Sequence, residues 1–81
     1  MNTPIKTISH TAANNAYDIK VFSDGNGGYV VAGYIGNRQV TAGYSVTMNV
    51  DYDFHTYHGT WAHDHLINAV KDDLDEGRVA K

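Results

Sequence analysis

Two short alternating segments joined by a glycine-rich run most constrain the fold of this chain. The first, residues 17–22, reads YDIKVF and the second, residues 29–35, reads YVVAGYI; both are rich in β-branched and aromatic side chains, which favour strands. The run SDGNGG between them contains an Asp-Gly turn pair and further glycines that can take positive φ. The sequence therefore predicts a β-hairpin, since strands joined by tight turns pair antiparallel.

A third strand is predicted over residues 38–47, after the hairpin dipeptide Gly36-Asn37. The face expected to point to the core carries four alternate residues: Val40, Ala42, Tyr44 and Val46. The face expected to meet water carries Gln39, Thr41, Ser45 and Thr47. Patterning is weak at the N-terminus, where residues 5–8 suggest a short edge strand and residues 11–15 a loop. We expect residues 1–16 to be partly mobile.

Residues 48–58 fit either a fourth strand or a short helix. A strand would continue the alternation of residues 38–47, but the joined element would be far longer than ordinary strands. In a helix, Asn49 can cap the N-terminus, Asp51 and Asp53 lie in the first turn, and Gly59 is a natural stop. The apolar stripe of that helix would consist of Val50, Phe54 and Tyr57. We predict the helix.

The C-terminal helix has the clearest pattern. Thr60 is the expected N-cap and Gly77 the expected end. One arc of this helix is mainly apolar and should lie on the sheet: His63, Leu66, Ile67, Val70 and Leu74. The sequence thus predicts an α+β fold in which a three-stranded, possibly four-stranded, antiparallel sheet is followed by a short helix and by a longer helix packed on one face.

Composition and charge exclude several functions. The chain has 81 residues, enough for one domain spanning 1–81, and no cysteine, which excludes disulfides, zinc–thiolate sites and thiol nucleophiles. The net charge is −3, with +1 on residues 1–50 and −4 on residues 51–81, which argues against direct binding of nucleic acid. Without an apolar run of membrane-spanning length or a signal-peptide core, we expect a soluble protein of the host-cell cytoplasm.

Four histidines between residues 55 and 65 are the most metal-like feature of the chain: His55, His58, His63 and His65. On the first helix Asp51, His55 and His58 would share one stripe, whereas His63 and His65 would point apart on the second. The four therefore do not converge, and we predict neither a metal site nor a cofactor; a histidine-based metal-binding protein is the less favoured alternative. His63 lies in the apolar arc, where it needs a hydrogen-bond partner. We predict no enzymatic activity, because no nucleophile–base pair or raised-pKa carboxylate pair is visible.

The face of the last helix opposite the apolar arc combines acidic, aromatic and histidine side chains. The residues predicted to bind a partner are five on this face, Trp61, His65, Asp72, Asp75 and Glu76, together with Asp73. Trp61 is either exposed there or folded back on the sheet. An acidic rim around an aromatic anchor would suit a basic groove that normally holds nucleic acid, with carboxylates in place of phosphates. The expected partner is therefore a protein with a basic surface.

The segments 44–47, 53–54, 57–59 and 66–77 resemble small proteins encoded by phages and mobile elements, a group that includes anti-CRISPR inhibitors. The resemblance implies a compact acidic fold with a short sheet and one or two helices. It also implies a non-enzymatic inhibitor that occupies the DNA-binding surface of a CRISPR effector; it assigns no role to any single residue. The alternative is a small structural subunit or a homodimer associating through its sheet, with Tyr29, Tyr34 and Tyr44 at the interface.

Overall fold

The structure, a computed structural model, describes residues 3–79 of the chain. Five strand segments precede two helices: β1 (Lys6–Ala12), β2 (Asn15–Ser23), β3 (Tyr29–Ile35), β4 (Arg38–Gln39), β5 (Tyr44–Val46), α1 (Met48–His58) and α2 (Ala62–Asp75). The predicted α+β fold is confirmed, including the helical interpretation of residues 48–58. Neither helix in the described part of the chain has the length and apolar character needed to cross a membrane.

The sheet is antiparallel throughout and runs in the order β1-β2-β3-β4, with β5 also paired to β3. Because β4 and β5 both lie along the same strand, they form one interrupted strand at that edge. Helix α2 packs on one face of the sheet, where its Val70 and Leu74 join Ile19, Val21 and Val31 in a fully buried core. That core is the apolar arc of the sequence meeting the inward face of the central hairpin.

The N-terminal segment forms a longer strand than its sequence suggests. β1 extends to Ala12, and a two-residue turn leads directly into β2 at Asn15. The turn residues Ala13 and Asn14 have φ values of 50° and 64°, as a hairpin turn of the I′ type requires. The loop predicted at residues 11–15 is therefore wrong in its extent, because the backbone here turns without glycine. Of the segment predicted to be partly mobile, residues 1 and 2 lie outside the described residues.

The third predicted strand is interrupted at residues 40–43. The amides of Val40 and Thr41 both donate to the Gly33 carbonyl, at 2.9 and 3.4 Å, which is the hydrogen-bond pattern of a β-bulge. The bulge exchanges the predicted faces at two positions only, since Thr41 is buried while Ala42 is exposed, and the core positions of Val40 and Val46 are confirmed. The hydroxyl of the buried Thr41 has hydrogen-bond partners, because it accepts from the Gly33 amide at 2.8 Å and donates to the Ala42 carbonyl at 3.0 Å.

The tyrosines expected on an exposed sheet surface do not lie together. Tyr29 and Tyr44 are half-buried against the core under α2. Tyr34 lies on the opposite, open face, where it packs edge-on against Phe22 and under the Lys20 ammonium group. The three tyrosines therefore cannot form one interface on the sheet.

Helix α1 begins and ends at capped residues but packs differently from its sequence pattern. Thr47, and not Asn49, is the N-cap and accepts from the Val50 amide; Gly59 ends the helix in the left-handed conformation. The predicted apolar stripe is largely exposed, with Val50 55% and Tyr57 83% accessible. The buried residue of this helix is an acid, Asp51.

Candidate functional site

The outward face of α2 is strongly acidic. Four exposed carboxylates follow this face and its C-cap, and we call them the acidic face: Asp64, Asp72, Asp75 and Glu76. His65 and Asn68 are exposed on the same side. His65, Asp72, Asp75 and Glu76 thus lie where the sequence placed them. Asp64 was missed as a member of this surface, although a 100° helical projection puts it beside Asp75.

Asp73 is turned about 100° around α2 from its exposed neighbour Asp72 and is buried at 6% accessibility. Its carboxylate accepts a hydrogen bond from the Tyr44 hydroxyl and another from Arg78 Nε at 2.7 Å. The Arg78 amide also donates to the Asp73 carbonyl at 2.8 Å. Asp73, which the sequence grouped with the partner-binding residues, is therefore not solvated as Asp72 is, because two side chains replace water as its donors. It ties α2 to β5 and to the chain after the helix.

The contacts of Asp73 shift the pKa values of Asp73, Tyr44 and Arg78. The hydrogen bond from Tyr44, helped by the one from Arg78, holds the pKa of Asp73 below its usual range despite burial. The same bond raises the pKa of Tyr44, because ionisation would remove the donated proton. The hydrogen bond to Asp73 also raises the pKa of Arg78. Asp73 is therefore a carboxylate in the folded protein at neutral pH.

Asp75 is the one acidic-face residue joined to the sheet in the described structure. Its Oδ1 lies 2.8 Å from Nε2 of His10 on β1, and the Asp75 side chain remains 54% accessible. An exposed pair of this kind contributes little to stability. Asp75 therefore keeps part of its carboxylate in solvent, and its contact with His10 joins the end of α2 to β1.

Trp61 occupies neither of the positions that the sequence left open. It is half-buried between the helices, with its ring stacked on His55 at a centroid distance of 3.9 Å and an interplanar angle of 16°. Tyr52 meets Trp61 edge-on at 6.4 Å and is itself 64% accessible. The exposed aromatic side chain that contacts this junction is therefore Tyr52, which the sequence did not single out as a binding residue.

Asp51 positions α1 against the start of α2. Trp61, the N-cap of α2, provides no side-chain hydrogen bond. Instead, Asp51 Oδ1 accepts from the His63 amide at 3.1 Å, and Oδ2 lies 3.0 Å from His63 Nδ1. Because a carboxylate only accepts, Nδ1 of His63 is the donor. The predicted need of His63 for a partner is confirmed, and its ring also packs on Tyr29 at 4.4 Å.

The histidines do not assemble with the carboxylates into a metal site. Asp51 faces His63 across the two helices, so it is not available to the stripe with His55 and His58. His65 turns to the Thr60 hydroxyl, 3.1 Å away. Among residues 3–79 no group of three or more histidine, aspartate or glutamate side chains is arranged to hold a metal ion.

No family model, curated protein or solved structure matches this chain. The ion pairs that involve α2 in the described residues join Asp75 to His10, Asp73 to Arg78, and His63 to Asp51 and Asp64. Asp72 and Glu76 belong to none of them. Such a surface attracts cations and basic side chains.

Proposed function

We propose that this chain is a non-enzymatic binding protein that uses the acidic face to occupy a basic, nucleic-acid-binding site on another protein, and that a CRISPR effector is the partner class to test first. The observation that carries the proposal is the row of exposed carboxylates on α2. The row runs from Asp64 to Glu76, a distance of 12 helical steps that corresponds to about 18 Å at the rise of an α-helix. This length suits a groove that follows several phosphates of a nucleic-acid backbone.

The burial of Asp73 sharpens the contact surface. The proposed contact consists of Asp64, Asp72, Asp75 and Glu76, because the Asp73 carboxylate is already occupied by Tyr44 and Arg78. Carboxylates that remain in water reach the partner with little loss of internal bonding. Tyr52 and the half-buried Trp61 provide aromatic area near the N-terminal end of α2. Aromatic side chains beside charged groups are typical of interface centres.

The test is competition for DNA. A panel of purified CRISPR effector complexes is mixed with fluorescently labelled target DNA, and the loss of DNA binding is measured as the protein is added. We expect inhibition of at least one effector, weakening as salt is raised, because exposed charges are screened. If every effector in the panel is active and none loses DNA binding when the protein is added, the proposed partner class is wrong.

Charge variants test the surface. Asp72→Asn with Glu76→Gln should weaken inhibition about three- to thirtyfold, if each exposed carboxylate contributes up to about 1 kcal/mol. The matched control is Asp18→Asn with Asp53→Asn, which removes the same charge from the sheet and from α1. Equal loss in both variants would show that net charge alone, and not the acidic face, drives binding.

A further inference from the structure

The two edges of the sheet differ in their readiness to pair with another strand. In the described residues β1 pairs with β2 alone, and its seven residues run without proline or interruption. The opposite edge consists of β4 and β5, two and three residues long, separated by the bulge. Short and bulged edges resist strand addition, whereas a long regular edge invites it. β1 is therefore the edge open to pairing.

The hydrogen-bond phase of β1 identifies which backbone groups face outward. In a two-residue hairpin the flanking pair, Ala12 and Asn15, exchanges backbone hydrogen bonds, and such pairs alternate along the ladder. The unbroken register carries this alternation to the pair Lys6 and Val21, and at the start of the strand the Ile5 amide also turns inward to the Val21 carbonyl at 2.8 Å. The residues whose N–H and C=O point away from β2 are Thr7, Ser9 and Thr11. All three side chains are exposed.

We propose that β1 pairs with β1 of a second copy of this chain, antiparallel and centred on Ser9. Ser9 then lies opposite Ser9 of the second copy, and Thr7 opposite Thr11, so that each outward-facing residue meets another and the pair exchanges two backbone hydrogen bonds. Cross-strand Thr and Ser pairs are favourable. On the other face of the new ladder, Ile8 lies opposite His10 and Lys6 opposite Ala12.

The side chains select this register over its neighbours. A slip by one residue sets an outward-facing residue against an inward-facing one and abolishes the ladder. A slip by two residues in one direction places His10 opposite His10, and in the other direction places His10 opposite Lys6. Either two-residue slip leaves one of the three outward-facing residues without a partner in β1 of the second copy. The Ser9-centred register pairs all three, and β1 is thus self-complementary.

The inference is independent of the acidic face, and its test uses the purified full chain alone. Sedimentation velocity over a wide concentration range should show a monomer–dimer equilibrium. Ser9→Lys places two ammonium groups directly opposite each other and should raise the dimer dissociation constant about five- to tenfold. Ser45→Lys, on exposed β5 at the other edge, is the matched control and should leave dimerisation unchanged.

Amide exchange locates the interface without mutation. At high protein concentration the amides of Thr7, Ser9 and Thr11 should become protected, while dilution should return them to fast exchange. A chain that stays monomeric at the highest soluble concentration would overturn the inference. So would a dimer that Ser9→Lys does not weaken but Tyr57→Ala does, because that result would place the interface on α1.

Discussion

Asp73 and its neighbour Asp72 provide a paired test of how this small domain is held together. Both are aspartates on α2, but Asp72 is exposed while Asp73 accepts hydrogen bonds from Tyr44 and Arg78. Asp73→Asn removes the charge that strengthens both bonds. Because hydrogen bonds to a charged group are worth about 1.5–3 kcal/mol, we expect a loss of about 2 kcal/mol in the free energy of unfolding. Asp72→Asn should stay within about 0.5 kcal/mol of the original protein.

The measurement is urea and thermal unfolding at pH 7, followed by circular dichroism. For a domain of this size, 1 kcal/mol corresponds to about 4–8 °C in Tm, so the Tm of Asp73→Asn should fall by about 10 °C while that of Asp72→Asn should hardly change. Equal stability of the two variants would refute the account of Asp73 as a buried, doubly bonded carboxylate.

The pH dependence of stability tests the direction of the pKa shift of Asp73. The pKa of Asp73 is lowered in the folded protein, so its stabilisation is fully present above the unfolded value near pH 4 and is lost as pH falls through the folded value. The stability difference between the original chain and Asp73→Asn should therefore be constant from about pH 5 to 8 and shrink below about pH 4. A difference that grows in acid would contradict the lowered pKa. Tyr44, whose pKa is raised, adds a loss of stability at the alkaline end above about pH 10, absent in Tyr44→Phe.

Three further substitutions probe the local geometry by urea unfolding. Asp51→Ala should cost about 1–3 kcal/mol, because it removes both the cap of α2 and the bond to His63, and it should also change the fluorescence of Trp61 at the helix junction; unchanged stability and fluorescence would count against this contact. Gly33→Ala should cost about 1–3 kcal/mol, since the added Cβ would lie 2.9 Å from a methyl group of the bulge and 3.3 Å from two apolar side chains of α2; a neutral effect would show that the bulge gives way. Ala13→Asn should raise stability by about 0.5 kcal/mol, because asparagine tolerates the positive φ of the turn better than alanine; a loss would argue against the I′ turn.

The parts of the fold that follow from periodicity could be predicted from sequence. The central hairpin is specified by alternation and by Asp24, whose carboxylate accepts from the Asn26 and Gly28 amides in the turn. The core face of α2 is specified by its apolar arc, and Gly59 ends α1 as expected. In each case one short segment carries the whole signal.

The unpredicted features depend on contacts between distant residues. Asp73 is buried because Tyr44, 29 residues earlier, supplies a donor, and Asp51 is buried because the start of α2 supplies two. A helical projection cannot register such partners. The bulge at Thr41 likewise arises from the Gly33 carbonyl on the neighbouring strand. The burial of acidic residues is therefore not predictable from the helical pattern alone, since an aspartate lies at the surface at Asp72 and in the interior at Asp73.

The proposed dimer and the proposed inhibition should respond to salt in opposite directions. A two-fold axis through Ser9 and perpendicular to the sheet would place α2 of both copies on the same side, with the pair of His10 and Asp75 of each copy near the axis. Two chains of net charge −3 repel each other, so added salt should strengthen the dimer by screening. The same salt should weaken attraction between the acidic face and a basic partner. Self-association and inhibition can both be measured against salt on one preparation. If salt strengthens self-association and weakens inhibition, the dimer is held by the backbone ladder of β1, because a dimer held by contacts between the acidic face and basic groups would weaken with salt.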